Sequence, residues 1–168
     1  GGSRLILERP IADEFLDALR TRVRALRRGH ALYSPSTPLY VGSVPGQEVI
    51  CTTTVAGYND RGQKVAITAG HCGEVGDAVQ SADAPQLGRT GMITHVNHDL
   101  DYAVITLAPK TEVTRSYNGV TVNHLGGAPV QAGARVCKQG VASGEIAEVF
   151  ACGTAAVVTP IGQLKGED

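Results

Sequence analysis

A series of short apolar, β-branched runs separated by turn-forming residues constrains the fold more than any other feature of this sequence. The runs extend from Glu48 to Val55, Lys64 to Thr68, Gly91 to Val96, Tyr102 to Leu107, Ala134 to Cys137 and Ala155 to Val158. Gly, Pro, Asn and Asp lie between them, and no helical period interrupts the series. The pattern predicts an all-β barrel or sandwich from about Tyr33 onward. The turn from Tyr58 to Gly62 predicts a hairpin between the first two strands.

The first 30 residues have a different character. Four apolar residues recur at helical spacing between Pro10 and Gly29: Phe15, Leu19, Val23 and Leu26. They predict an amphipathic helix over 11–28. Residues 1–30 carry seven basic and four acidic side chains, net +3, against −4 for the rest of a chain whose net charge is −1. The simplest interpretation is a helix docked on the domain through its apolar stripe. A basic helix on an anionic membrane or partner, or the remnant of a propeptide, are the alternatives.

Composition excludes several classes of protein. With 42% hydrophobic and 18% charged residues the chain can bury a core of ordinary size, which argues against disorder, collagen-like repeats and a coiled coil. Its net charge of −1 argues against a nucleic-acid partner. No apolar run approaches the roughly 20 residues that span a bilayer.

Four cysteines, Cys51, Cys72, Cys137 and Cys152, allow three disulfide pairings. None of their spacings is the Cys-x-x-Cys of a zinc or redox site, so structural disulfides are favoured. The simplest pairing is sequential, Cys51 with Cys72 and Cys137 with Cys152. Such bonds imply an oxidising compartment, either extracellular or in the periplasm or cell envelope. Four buried free thiols in a cytosolic protein are the alternative.

Two segments carry residue types suited to acid–base chemistry. His71 follows a predicted strand and lies directly beside Cys72, so a disulfide could hold it rigidly. An imidazole can accept and return a proton near neutral pH, as a general base must. Thirty residues further on, Asp101 precedes the apolar strand that begins at Tyr102. A carboxylate in that position is suited to orienting an imidazole and stabilising its charged form.

These segments resemble a known family. Thr68-Ala69-Gly70-His71-Cys72 resembles the histidine motif of the chymotrypsin-like serine proteases, and the run from Asp101 to Ile105 resembles their aspartate motif. The segment from Val136 to Gly144 resembles one in the bacterial secreted branch, the streptogrisin and alpha-lytic protease group. That branch has one disulfide at the histidine loop and another that opens at the Val-Cys segment, in agreement with the sequential pairing. The resemblance extends from about Val49 to Asp168 and does not include the N-terminal helix.

The resemblance implies an all-β fold, the chymotrypsin-like double six-stranded β-barrel, preceded here by the N-terminal amphipathic α-helix. We expect a helical extension over 1–32 and a trypsin-like serine protease domain over 33–168. The first barrel would occupy about 40–110, and the start of an incomplete second barrel about 118–168. The implied function is secreted endopeptidase activity on peptide or protein substrates through an acyl-enzyme, with His71 as general base and Asp101 fixing its tautomer. No metal or organic cofactor is implied.

Other acidic and histidine residues offer competing interpretations. Asp99 lies two positions before Asp101, but the Tyr-Ala-Val-Ile that follows Asp101 favours the latter. Four histidines have no motif around them and are expected at the surface or at caps: His30, His95, His98 and His124. A zinc site would require residues of one short segment to converge on the metal, namely His95, His98, Asp99 and Asp101.

The third member of the triad is missing from the sequence. The family's nucleophile motif, Gly-Asp-Ser-Gly-Gly, does not occur, and Ser143 has only one following glycine. Gly166, Glu167 and Asp168 resemble the approach to the nucleophile and its oxyanion loop, with Asp168 directly before the expected serine. The family has glycine where Glu167 stands, so either the loop differs or Gly166 takes that role with a one-residue insertion.

Three hypotheses account for this ending. We expect a C-terminal fragment to carry the catalytic serine, so that the chain alone is inactive. A noncatalytic relative that keeps the barrel as a binding module is the first alternative. An unrelated extracellular β-domain with chance motif matches is the second, and a contact between His71 and Asp101 at 2.6–3.2 Å, the usual hydrogen-bond range, would argue against it.

Overall fold

A computed structural model of the chain describes residues 9–117 and 120–123, together with the backbone of strand segments 138–140, 144–148, 150–152 and 158–160. The helix α1 spans Arg9–Arg27. Short 3-10 turns lie at Gly70–Cys72 and Pro85–Leu87. The strands are β1 Ala31–Tyr33, β2 Pro38–Val41, β3 Val49–Thr52, β4 Val55–Tyr58, β5 Lys64–Thr68, β6 Ala78–Ser81, β7 Gly91–Asn97, β8 Tyr102–Leu107, β9 Thr111–Val113, β10 Ser116–Tyr117, β11 Val120–Thr121, β12 Lys138–Gly140, β13 Gly144–Glu148, β14 Phe150–Cys152 and β15 Val158–Pro160.

Strands β2 to β8 form a barrel whose closure depends on one bent segment. Their order is β3-β2-β6-β7-β8-β5-β4, and every pairing is antiparallel. The two end strands, β3 and β4, are separated only by Thr53 and Thr54. The Thr53 N–H donates to Thr37 O, and the Thr54 N–H donates to Ile67 O. The bent segment therefore pairs with β2 on one side and β5 on the other, which closes a ring of six strands.

The barrel interior is filled by alternate residues of its strands. In β8, Ala103, Ile105 and Leu107 are buried while the residues between them are only half-buried. This period of two is what a strand with one inward face requires. Residues from the neighbouring strands complete the core: Leu39, Val41, Ala56, Ala66, Val79 and Ile93. The core lies inside the ring, and the ends of β5 and β8 form part of its rim.

The observed strands match the predicted runs to different degrees. Strands β5 and β8 have the predicted bounds. The hairpin at 58–62 is confirmed, because β4 and β5 are antiparallel and the Asn59 carboxamide accepts the N–H groups of Arg61 and Gln63. The single strand predicted over 48–55 is wrong, since it divides into β3 and β4 at the bend. The predicted strand 134–137 lies outside the described residues, as does most of 155–158.

The helix α1 begins two residues earlier than predicted. Pro10 lies inside its first turn, a position where proline is tolerated because that N–H has no intrahelical partner. The helix contacts the barrel through Ala25, which is fully buried, and through an ion pair of 2.6 Å between Arg22 and Asp83. Leu26 reaches a shallow cleft beside Ala84. Docking through the centre of the predicted apolar stripe is not observed, since Leu19 and Val23 stay 42% and 38% exposed.

Beyond the helix, β1 connects this region to the chain that leaves the barrel. It pairs in parallel with β9, and Glu112 on β9 accepts from both Arg28 (3.3 Å) and His30 (3.2 Å). The Tyr33 hydroxyl lies 2.6 Å from Thr90 Oγ1, and burial raises the pKa of Tyr33 to about 12 despite this hydrogen bond. In the part of the chain that the structure describes, no helix has the length and apolar character needed to cross a membrane.

Candidate active site

The histidine loop is held at the barrel rim from both of its ends. Strand β5 ends at Thr68, and His71 lies in the 3-10 turn that follows. Cys72 is bonded to Cys51 on β3, which confirms the first predicted disulfide. The Thr68 hydroxyl donates to Thr52 O at 2.9 Å and lies 3.7 Å from Cys72 Sγ. Because covalent and hydrogen bonds both tie this turn to β3, His71 has a fixed backbone position.

The aspartate reaches the same end of the barrel through strand pairing. β5 and β8 are antiparallel neighbours with Thr68 opposite Ala103, so the residues after β5 lie beside those before β8. Asp101 directly precedes β8 and has a positive φ of 49°. In the preceding turn the Asn97 side-chain oxygen accepts the Leu100 N–H at 2.8 Å. The register thus brings together two residues that are thirty positions apart.

Gly70 allows the two loops to approach closely. A Cβ atom at this position would lie 3.0 Å from both Asn97 O and Tyr102 N, and 3.2 Å from the Asp101 carbonyl carbon. These atoms belong to backbone, which can move aside only if the turn before β8 shifts. The absence of a side chain at Gly70 therefore sets the distance between the histidine and aspartate loops.

His71 and Asp101 form a hydrogen-bonded pair. The His71 ring nitrogen Nδ1 lies 2.9 Å from Asp101 Oδ2 and 3.0 Å from Oδ1. Both distances are within the usual hydrogen-bond range of about 2.6–3.2 Å. The backbone N–H of His71 also donates to Oδ1, at 2.9 Å. With the carboxylate as acceptor, Nδ1 carries the proton and Nε2 keeps a lone pair. The ring can then accept a proton at Nε2, as a general base does.

The electrostatics keep Asp101 ionised. Burial raises the pKa of this carboxyl, but hydrogen bonds from the backbone and ring of His71, the charge of that ring and the Gly70 N–H together hold the pKa below its ordinary value. The side chains of His71 and Asp101 are 73% and 54% exposed. The pair therefore consists of an ionised carboxylate, Asp101, and an imidazole, His71, and both are accessible at the barrel surface.

The remaining histidines have other partners. His95 stacks at a tilt on Tyr102, with ring centroids 5.7 Å apart, and His98 lies 3.5 Å from Glu74. His30 bonds Glu112 at the helix end. His124 lies outside the described residues. Within residues 9–117 and 120–123, no three His, Cys, Asp or Glu side chains are grouped to hold a metal, and Asp99 does not join His95 and His98 in a zinc site.

Sequence reasoning missed the residues that position the pair. Gly70 was visible inside the histidine motif, yet its close approach to the turn before β8 could not be read from the motif. Asn97 begins a segment rich in turn-forming residues, which was the available signal for its capping hydrogen bond. Thr68 was likewise visible in the motif, but its hydrogen bond could not be predicted, because its partner, Thr52 O, belongs to another strand.

Several predicted site residues lie outside the described part of the chain. These are the oxyanion-loop residues Gly166, Glu167 and Asp168, and Ser143, which the sequence argued against as nucleophile, lies outside it too. Cys137 is also outside it, and for Cys152 the structure describes only the backbone in β14. The second predicted disulfide therefore stays a prediction.

The closed barrel, with the His–Asp pair at its rim, has the chymotrypsin-like β-barrel fold, a protease-like fold. The crystal structure of Nocardiopsis protease (NAPase) matches with a TM-score of 0.55 and 25% identity, covering 73% of this chain and 62% of that one. Thermobifida fusca protease A matches with a TM-score of 0.55 and 23% identity, over 72% of this chain and 60% of that one. The fold class expected from the sequence is thus confirmed, while the start of the second barrel expected over 118–168 lies largely outside the described residues.

Sequence comparison gives one further relative. The uncharacterized protein Rv1815 of Mycobacterium tuberculosis is 35% identical over an alignment 144 residues long, and the match covers 73% of this chain and 59% of that protein. No protein-family model matches the chain. The chain thus spans about three fifths of the length of each of these three proteins.

Proposed function

We propose that this chain is the larger part of a secreted serine endopeptidase of the streptogrisin and alpha-lytic protease branch. In this proposal residues 33–168 belong to the protease domain, and a C-terminal segment that continues from Asp168 carries the nucleophilic serine. The substrates are peptides or proteins. The Cys51–Cys72 disulfide supports an oxidising, extracytoplasmic location.

The observation that carries the proposal is the contact between His71 Nδ1 and the Asp101 carboxylate, at 2.9 and 3.0 Å. Many proteins have a histidine at a strand end, but here the carboxylate accepts from both the ring and the backbone N–H of the same residue. This arrangement fixes the ring orientation and the tautomer together. Both features are needed for a base that must receive a proton at Nε2.

The role of each group follows from this geometry. His71 Nε2 takes the proton of the serine hydroxyl as the serine oxygen attacks the peptide carbonyl carbon. The resulting imidazolium is stabilised by ionised Asp101 and then gives the proton to the leaving amine, which yields an acyl-enzyme. Water, deprotonated by the same Nε2, attacks the acyl carbon, and the serine oxygen leaves with that proton. In each half of the reaction His71 accepts one proton and gives it up again, so it ends in its starting state.

In this proposal the nucleophile comes from outside the residues that the structure describes. Three of the described serines have hydroxyls bonded elsewhere: Ser34 to Thr37, Ser43 to Asp77 and Ser116 to Thr121. Ser81 is buried in the barrel. The resemblance of Gly166-Glu167-Asp168 to the approach to the catalytic serine assigns the nucleophile to the next position. The backbone of this loop would supply the oxyanion donors.

The test is hydrolysis of a peptide ester and a peptide amide by the protein that extends beyond Asp168. We expect activity, and we expect Asp101→Asn to reduce kcat by about 10⁴-fold and His71→Ala by at least as much, because each removes a member of the triad. A fluorophosphonate probe should label the wild type at one serine. If the complete wild type binds peptides without hydrolysing them, the noncatalytic alternative is correct.

Two matched variants control for surface effects. Asp99→Asn makes the same chemical change two positions from Asp101, and His95→Ala removes another exposed imidazole of the barrel. Both should keep kcat within about twofold of the wild type, since neither side chain is hydrogen-bonded to His71, whose partner is Asp101. A loss in Asp99→Asn equal to that in Asp101→Asn would contradict the assignment of the orienting carboxylate.

A further inference from the structure

We propose that α1 is a docking surface for an anionic lipid bilayer, lying in the membrane interface rather than crossing it. The proposal concerns a face of the molecule that the peptidase mechanism does not use. It is independent of the proposed function, because binding to vesicles is measured without any substrate.

The first observation is an apolar stripe that stays partly exposed beside the barrel. Leu16, Leu19, Val23 and Leu26 are spaced by three, four and three residues, which places them on one side of a helix. They are 37%, 42%, 38% and 39% exposed, whereas Ala25 on the barrel side is fully buried. The helix is therefore docked through Ala25, with Leu26 also reaching the cleft beside Ala84, and about two fifths of each of these four side chains stays exposed.

The second observation is the charge beside this stripe. Arg20 and Arg27 follow Leu16 and Val23 by four residues, so they flank the stripe along one edge. Arg24 and Arg28 continue the basic surface, and all four arginines are exposed. An amphipathic helix with arginines bordering an apolar stripe is suited to the headgroup region of a bilayer, where long basic side chains reach the phosphates.

The charge of the rest of the chain favours contact through this helix. Residues 1–30 have a net charge of +3, while the remaining residues have −4. An anionic surface attracts the positively charged residues 1–30 and repels the negatively charged remainder of the chain. This orients the molecule with α1 toward the membrane. The acidic residues of the helix, Asp13, Glu14 and Asp17, lie in its first half and precede the basic segment.

A second copy of the chain fits this face less well. A stable protein interface has roughly 20–30 residues on each side. The stripe offers four side chains, each with about two fifths of its surface exposed. A parallel pair would also bring the arginine-rich halves together, at a cost in like-charge repulsion. A lipid surface needs neither a large matching area nor a reciprocal pattern of charge.

The experiment is sedimentation of the full chain with sucrose-loaded vesicles. One set is phosphatidylglycerol and phosphatidylcholine at 40:60, and the other is phosphatidylcholine alone. We expect at least about tenfold stronger partitioning to the anionic vesicles, decreasing as salt is added, because each arginine near such a surface contributes about a fivefold factor. Equal partitioning to both sets, or none to either, would overturn the proposal.

Two variant pairs separate the stripe from the charge. Leu19→Gln with Val23→Gln removes apolar surface from α1, and Val44→Gln with Val75→Gln makes the same change at exposed barrel positions. Arg20→Glu with Arg27→Glu reverses charge on α1, and Arg61→Glu with Lys110→Glu makes the same change in net charge on the barrel. Only the α1 variants should lose at least about tenfold in anionic-vesicle binding. Circular dichroism checks that each variant is folded.

Sedimentation velocity tests whether a second copy of the chain, rather than a bilayer, covers α1. If the chain forms a dimer that Leu19→Gln with Val23→Gln abolishes, and anionic vesicles do not bind, then a second copy covers α1 and the proposal is wrong. If the α1 and barrel variants bind vesicles equally well, the contact lies elsewhere on the chain and the proposal is also wrong.

Discussion

The wall of the barrel and the loops at its rim are built by different forces. The wall is a closed ring of strands around buried side chains such as Ile93 and Ile105, both fully buried. The rim carries His71 and Asp101 with 73% and 54% of their side chains exposed. There, hydrogen bonds and close backbone contacts take the place of apolar burial. The difference means that stability and site geometry can be altered separately.

The disulfide and Gly70 are the points where wall and rim meet. Cys51 belongs to a strand of the wall, and Cys72 belongs to the turn that carries His71. Gly70 lies against the backbone that leads into β8. Changes in the wall should therefore act mainly on stability, changes in the rim mainly on the histidine–aspartate contact, and changes at the junction on both.

The largest expected effect is in the wall. Ile105→Ala should lower the free energy of unfolding by about 3–4 kcal/mol, because it removes buried methyl groups and leaves a cavity inside the ring. Urea unfolding measures this value. Val104→Ala, on the other face of the same strand and only half-buried, should cost less than about 1.5 kcal/mol. Equal losses in the two variants would contradict the assigned inward face of β8.

The next effect is at the junction. Cys51→Ala with Cys72→Ala should lower the free energy of unfolding by about 3 kcal/mol on the chain-entropy model. The residues are 21 positions apart, so their bond restricts a loop of moderate size in the unfolded chain. The measurement is urea unfolding of both proteins without reductant. If the double variant were as stable as the wild type, the disulfide would not stabilise the connection between wall and rim.

A smaller loss of stability is expected at Gly70, the other point where wall and rim meet. Gly70→Ala places a Cβ 3.0 Å from two backbone atoms of the facing turn, so that turn must shift by a few tenths of an ångström. We expect a loss of about 1 kcal/mol, together with a rise in the pKa of Asp101 as its hydrogen bonds to the His71 loop lengthen.

Gly57→Ala is the matched control for this variant, because a Cβ there has no neighbour within 4 Å. It should leave both the stability and the pKa of Asp101 unchanged. If Gly70→Ala behaved in the same way, the close approach of the two loops would not position the pair.

The smallest expected effect is the lowered pKa of Asp101 at the rim. The pKa of Asp101 should lie below the ordinary value of about 3.9, which carboxyl ¹³C NMR measures directly. Because the folded-state pKa is lowered, this group stabilises the fold above about pH 3.9, and that contribution is lost as pH falls through the folded value. His71→Ala should raise the pKa only in part, since its backbone N–H still donates. A midpoint at or above 3.9 in the wild type would contradict the hydrogen-bond pattern.

Local patterns in the sequence predicted much of the wall. Strands β5 and β8 and the hairpin at 58–62 are present as expected, because alternation and turn chemistry act over a few residues. Strands β1, β2 and β6 were not predicted. Each has three or four residues, too few for a period to stand out, and their extended form depends on partners elsewhere in the chain.

The bend between β3 and β4 shows the same limit. Residues 48–55 have the composition of one continuous strand. Which neighbour each half pairs with decides that the chain turns at Thr53 and Thr54, and those neighbours lie in two different parts of the sequence. The face by which α1 docks was also undetermined, because a helical period identifies an apolar stripe without saying which side meets the barrel.

The sequence by itself determined which residues were available for chemistry: a histidine beside a cysteine after one strand, and an aspartate before another. It also limited the disulfide partners of Cys51, since the sequence contains only three other cysteines. Only the tertiary structure decided that His71 and Asp101 lie 2.9 Å apart, that β3 and β4 close the ring, and that the stripe of α1 remains exposed. Periodicity and turn propensity are local properties, whereas these contacts depend on register between strands distant in the chain.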